Sequence, residues 1–180
     1  HHLLGSNATA IEAAAAEAAG RGYAVRLRHA DPAARETANE VGERLAAEGL
    51  AAARGASPQR LAIIEGGEAT VCLPEEHGLG GRNQQTVAAA LARLQAREPW
   101  PSGLLIASVG TDGEDGPTSA AGGVADATVA RAIADAGLRV AEAVHGCDAF
   151  PLLREAGGLI QTGPTGTNVA DLRIVLVDPS

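Results

Sequence analysis

The chain has 180 residues, of which 46% are apolar and 20% charged, with 23 glycines and a net charge of −8; this is the profile of a folded α/β protein with one good core, not of a disordered or fibrous one. The acidic balance argues against nucleic acid or an anionic membrane as a partner, because both are held by an excess of Lys and Arg. All 14 basic residues are Arg, which excludes a Walker-type phosphate loop, a Schiff-base lysine and a lysine general base within these residues.

In chain order, Ser6-Asn7 predicts an N-cap for an Ala-rich helix over 8–19, stopped by Gly20 and Gly22. Tyr23–Arg28 follows as a short strand, and Asp31-Pro32 opens a helix to about Ala47 or beyond, in which Val41 and Leu45 share a face. Gly49, Gly55 and Ser57-Pro58 close it and mark a domain boundary, giving segments 1–58 and 59–180. Two strands, Leu61–Glu65 and Glu68–Leu73, are expected to flank a tight Gly66-Gly67 turn as a hairpin. A polar loop from Pro74 to Gly81 leads into a helix over Asn83–Arg97, where Val87, Leu91 and Leu94 keep the helical period and Pro99-Trp100-Pro101 breaks it.

The run Leu104–Val109 predicts a buried parallel strand, and the acidic, glycine-rich loop 110–122 begins where it ends. In open α/β sheets, ligands sit outside the carboxyl ends of strands, so this loop is a candidate site. Asp126 caps a helix to Ala136, and 138–156 forms one or two helices interrupted near Gly146 and Pro151. Leu159–Gln161 and Leu172–Val177 are strands on either side of a Gly/Thr-rich loop. Strands alternating with helices imply a layered α/β domain from about residue 60.

Aromatic residues make up 2% and Met is absent, so Ala, Leu, Val and Ile must build the core. The missing Met and the tag-like His1-His2 lead us to expect a portion of a longer protein. Cys72 and Cys147 lie far apart with no CxxC pair, which argues against zinc and a disulfide framework. With no signal peptide and no apolar run of membrane-spanning length, a cytoplasmic location is expected.

Four glycine-rich loops carry the candidate chemistry: Glu65–Glu68, Gly78–Gln84, the Asp112 loop and Thr162–Asn168. In the second, Gly80-Gly81 precede a helix start whose free N–H groups favour an anion, and Arg82 adds a fork for carboxylate or phosphate; a helix-start salt bridge is the alternative role for Arg82. In the third, Asp112, Glu114 and Asp115 offer hard oxygens for magnesium, or make an acidic turn. In the fourth, three Thr hydroxyls and Asn168 form either a neutral phosphate cradle or a plain turn cluster. His77, beside the second loop, is a minor candidate. A calcium loop fails because its fifth position would be Gly116 and its terminal Glu is absent, no G-x-S-x-G elbow occurs, and Gly78–Gly81 lacks the third glycine spacing and the preceding strand of a dinucleotide fingerprint.

Gly66-Gly67-Glu68, Gly80–Gln84, Thr111-Asp112-Gly113 with Asp115–Thr118 and Ala120–Gly122, and Thr162–Val169 with Asp171-Leu172, in that order, closely resemble the MOFRL domain of bacterial glycerate 2-kinases. Some members of that family are labelled hydroxypyruvate reductases. The resemblance is specific over 61–177 and weaker over 3–54, which looks like the tail of a truncated Rossmann-like N-terminal domain. It implies ATP- and magnesium-dependent phosphorylation of D-glycerate to 2-phosphoglycerate, within serine and glyoxylate metabolism, in a cleft between two domains. Carried over by motif, Glu68, Arg82, Asp112 and Asn168 are the catalytic candidates. Gly80, Gly81, Asn83, Thr111, Asp115, Thr165 and Thr167 are the substrate- or phosphate-binding candidates, and Asp112 is the possible magnesium ligand. Ser119 and Ala170 stand where Asp and Asn are usual.

The family's N-terminal domain supplies a lysine, so half an active site is expected here, with the missing N-terminal domain as a partner and a homo-oligomer possible. The alternatives are a nicotinamide-dependent hydroxypyruvate reductase and a non-catalytic anion-binding or scaffold module.

Overall fold

A computed structural model describes residues 5–31, 33, 35–55, 59–95 and 100–179. The expected Pro32 helix start, the Ser57-Pro58 boundary, the helix end at Arg97 and the break at Pro99 lie outside the described residues. The elements are α1 (Asn7–Gly20), β1 (Ala24–Arg28), α2 (Ala38–Arg54), β2 (Leu61–Gly67), α3 (Arg82–Gln95), β3 (Leu104–Gly110), β4 (Gly122–Ala125), α4 (Ala127–Asp135), α5 (Val140–His145), α6 (Ala149–Glu155), β5 (Leu159–Ile160) and β6 (Asp171–Val177). No helix among them is long and apolar enough to cross a membrane.

Six strands form one mixed sheet in the order β1-β2-β6-β3-β4-β5. β1 runs parallel to β2, whereas β6 is antiparallel to both β2 and β3, and β4 is antiparallel to β3 and β5. The parallel setting expected for β3 is therefore corrected. Its burial alternates residue by residue, as an antiparallel strand with two unlike faces requires. The expected boundary near 58 divides β1 from β2, which pair over five residues, and α2 on the earlier side packs against α3 on the later side.

The expected hairpin at Gly66-Gly67 is also absent. Both glycines continue β2, opposite Leu172 and Asp171 of β6, and residues 68–73 form no strand beyond an isolated Thr37–Thr70 bridge. The partner that overrides the local turn signal comes from a hundred residues further along the chain. Helix α2 starts later than expected, at a Thr37 N-cap that exchanges hydrogen bonds with Glu40 in a capping box. Pro151 does not interrupt anything; it sits in the first turn of α6, where its missing N–H costs nothing. Strand β4 was not expected: it starts at Gly122, the last residue of the central loop, and fills the short stretch between that loop and the Asp126 cap, where two glycines obscure its apolar residues.

One core cluster joins α2 to the sheet through Val41, Leu45, Ile63, Ile106 and Val175. A second lies between α3 and α4–α6 around Leu91, Ile133 and Leu153, and a third holds α1 on the opposite sheet face through Ile11 and Ile64. Since β1, β2, β3 and β5 run one way and β4 and β6 the other, one sheet edge gathers Gly67, Gly110, Gly122, Ile160 and Asp171. All four glycine-rich loops open at or beside that edge.

Candidate active site

The two loops after β3 and before β6 are laced to one another. Thr165 N donates to Asp112 O at 2.9 Å, Thr111 N to Ala170 O at 3.1 Å and Val169 N to Thr111 Oγ1 at 2.8 Å. Thr165 Oγ1 donates to Thr111 O and Thr111 Oγ1 to Ala170 O. The Thr111 and Thr165 hydroxyls are therefore braces that fix the loops, and the Thr167 amide leans on Thr165 Oγ1 in turn. Gly113, at φ 87°, lies so close to Gly163 that an added Cβ would sit 2.0 Å from its carbonyl oxygen. What the lacing presents outward is the Asp112–Asn168 pair: Asn168 Nδ2 donates to Asp112 Oδ2 at 3.0 Å, while Glu114 N donates to Oδ1. Asn168 is exposed and Asp112 half-buried.

Arg82, the first residue of α3, is held from behind. It donates through Nε to Asp171 Oδ2 (2.7 Å) and through Nη2 to Asp171 Oδ1 (2.9 Å), a bidentate fork onto a buried carboxylate. Nη1 reaches Glu68 at 3.1 Å, but that carboxylate is 63% exposed, so the pair is weak and the outward side of the guanidinium stays open to a competing anion. The hydrogen bonds to Asp171 raise the Arg82 pKa further, keeping the cation permanent. Asp171 was not among the sequence candidates. It stood in the quoted family motif, but its role rests on its place opposite Gly67 at the start of β6, which only the register makes visible.

Asp115 and Asn83 lie beneath the surface instead of facing a ligand. The α3 N-terminus expected to receive an anion already holds one: Asp115 Oδ1 accepts from Asn83 N and Oδ2 from Gln84 N, at 3.0 and 2.8 Å. Asn83 Nδ2 and Gln84 Nε2 add two side-chain bonds. The approach is so close that a Cβ on Gly81 would lie 2.3 Å from the Asp115 carboxyl carbon. Burial pushes this carboxyl up from its ordinary value, against the N–H donors that pull it down. Asn83 also bridges Asp115 to Asp171 and accepts from Ser108 Oγ, so a buried polar hub ties α3, β3 and β6 together under Arg82.

A cavity of about 330 Å³ opens beside Arg82, lined by Gly80, Gly81 and His77 with Val71, Leu73 and Pro117 as its apolar wall. A wider groove of about 1320 Å³ runs along β1 and α2 and contains none of the candidates. Glu68, Arg82 and the cavity thus form one half of the edge, and Asp112 with Asn168 the other. Among the described residues no three His, Cys, Asp or Glu side chains gather to hold a metal. Asp112 supplies a single carboxylate, which suits magnesium when phosphate oxygens and water fill its other positions.

The MOFRL family model matches residues 61–171, more than half of the chain and all four loops. The chain belongs to the MOFRL family. Over 116 residues, 64% of this chain, it is 42% identical to a D-glycerate 2-kinase of Thermotoga maritima, of which that stretch is 27%. It is 37% identical over 115 residues to a glycerate 2-kinase of Pyrococcus horikoshii, covering 64% of this chain and 25% of that protein. A crystal structure of glycerate kinase from Thermotoga maritima superposes with a TM-score of 0.88 at 32% identity, over 98% of this chain and 41% of that one. This MOFRL chain therefore spans about a quarter of these curated relatives in sequence, and its layered α/β fold is that of a portion of a solved glycerate kinase.

Proposed function

We propose that this MOFRL chain provides one wall of the active site of a glycerate 2-kinase, transferring the γ-phosphoryl group of ATP to the 2-hydroxyl of D-glycerate. The observation that carries the reading is the paired presentation at one sheet edge of a permanent cation, Arg82 locked by Asp171, and an accessible carboxylate, Asp112 oriented by Asn168. Phosphoryl transfer needs positioning and charge neutralisation far more than covalent chemistry. In this reading the outward Nη1 of Arg82 binds the glycerate carboxylate or a phosphate oxygen, replacing Glu68. Asp112 accepts the proton of the attacking hydroxyl or holds magnesium, whose chemistry is to neutralise charge on the transferred phosphoryl group. The remaining groups, a lysine among them, come from the part that the longer relatives carry outside the matched region. A nicotinamide-dependent reductase gains no support from relatives named as kinases.

The reading is tested in the protein carrying that additional part, by assaying ATP with glycerate and NADH with hydroxypyruvate side by side. Turnover is expected in the first only. Asp112→Asn is expected to lower it by about a hundredfold or more with folding unchanged. Reductase activity alone, or near-normal phosphorylation by Asp112→Asn, would refute the proposal.

A further inference from the structure

Cys72 and Cys147 stand 75 positions apart in sequence, but the fold brings them together. Cys147 lies in the turn between α5 and α6, buried, with its Sγ 3.9 Å from the carbonyl oxygen of Cys72. Cys72 is exposed on the irregular segment that joins β2 to α3. Both line one small cavity of about 70 Å³. A disulfide asks for Cα atoms roughly 4.4–6.8 Å apart, and the direct contact of the Cys147 thiol with the Cys72 backbone makes these two residues neighbours from which movement of the Cys72 segment can reach that geometry.

Backbone hydrogen bonds pin the segment's two ends, while its middle has the long Cys147 thiol contact to Cys72 O in their place. At one end Thr70 N donates to Glu36 O and Ala38 N to Thr70 O, at 3.1 and 2.8 Å. At the other, Gly78 N donates to Gly146 O and Leu79 N to Asp148 Oδ1, both at 2.8 Å, which fastens the segment on either side of Cys147. Among the described residues, no backbone–backbone hydrogen bond holds 71–76. This middle carries Val71 and Leu73, two walls of the cavity beside Arg82.

We propose that Cys72 and Cys147 form a reversible disulfide that ties the β2–α3 segment to the α5–α6 turn and fixes the apolar wall of the Arg82 cavity. The oxidant is a low-molecular-weight disulfide of the glutathione class. The exposed Cys72 thiolate attacks one of its sulfurs, forming a mixed disulfide and releasing one small thiol. Cys147 then attacks the Cys72 sulfur and releases the second. Two protein thiols are oxidised, one small disulfide is reduced to two thiols, and the two cysteine protons end on those thiols. The order of attack follows exposure: burial, reinforced by charge on Cys72, raises the Cys147 thiol above its ordinary value and leaves Cys72 as the first nucleophile.

The test incubates the folded 180-residue chain with oxidised glutathione, followed by intact-mass and peptide mass spectrometry and by amide hydrogen exchange. The expected result is loss of both free thiols, no retained glutathione, a peptide pair linked through Cys72 and Cys147, and exchange across 71–76 slowed at least about tenfold. Cys147→Ser is expected to trap the mixed disulfide on Cys72. If that variant does not fold, Cys72→Ser serves instead, and is expected to leave Cys147 unmodified. Three results would overturn the proposal: wild-type protein that keeps glutathione on Cys72, cross-linking between chains in place of within one, or an internal disulfide that leaves exchange in 71–76 unchanged.

Discussion

Removing the Asp115 carboxylate should unfasten α3 without touching any exposed group. In Asp115→Ala, Gln84 Nε2 keeps Thr118 Oγ1 and the residue-115 carbonyl, and Asn83 Nδ2 keeps Asp171 Oδ1. The backbone N–H groups of Asn83 and Gln84 lose their partners, and both residues are buried. Each of the two orphaned donors costs about 1–3 kcal/mol, so the variant loses roughly 2–6 kcal/mol. For a chain of this size that lowers Tm by roughly 4–24 °C. Asp115→Asn keeps one oxygen but turns an amide NH2 towards a donor, and should lose roughly 1–3 kcal/mol. Urea and thermal unfolding measure the loss, and amide exchange at Asn83 and Gln84 locates it. A change below about 1 kcal/mol in Asp115→Ala, with those amides still protected, would refute the assignment of Asp115 as the cap of α3.

Asp171→Asn weakens the fork on Arg82; the longer protein should then show KM for glycerate raised about tenfold or more, while Arg82→Lys, which cannot make the fork at all, should lose more. An unchanged KM in both would separate Arg82 from the substrate. Burial works to raise the Glu65 carboxyl, but Arg44 and then Arg173 outweigh it and hold it below its ordinary value of 4.5. A depressed folded-state pKa gives stability that is present above pH 4.5 and drains away as pH falls through the lower folded value. Glu65→Gln should therefore lose about 3 kcal/mol or more near neutrality and show a flatter acid limb in urea midpoints; an acid limb as steep as the wild type's would refute the assignment. Ala170 sits at φ 64° without being a glycine. Asn tolerates that region better, so Ala170→Asn should gain up to about 1 kcal/mol in thermal unfolding, and a loss would show that the side chain clashes in the loop.

Five of the six strands and most helices were legible because apolar runs and caps are local: Ser6 and Asp126 both cap where the sequence placed them. The direction of β3 was not, since a run such as Leu104–Val109 looks alike whichever way its neighbour points. The four loops were legible from their glycines and acids, and their convergence followed from the family motifs. Which acid faces outward was hidden. Asp112 and Asp115 are three residues apart in one loop, yet Asp115 turns under the start of α3, a contact 31 positions back that no local pattern encodes. The same holds for Glu65, whose arginine partners Arg28, Arg44 and Arg173 come from β1, α2 and β6. Only the sheet order assembles them.

The place of β6 in that order has a consequence for synthesis. β6 comes after the other five strands of this sheet in chain order, yet it lies in the middle, between β2 and β3. Until it has left the ribosome, β1–β2 and β3–β4–β5 are two separate ribbons, each with an unpaired edge on the side that will meet. Its insertion joins them in one step and delivers Asp171, its first residue, to Arg82. A nascent chain halted short of β6 would thus have neither a continuous sheet nor an anchored Arg82, and would expose two edges open to pairing with other chains.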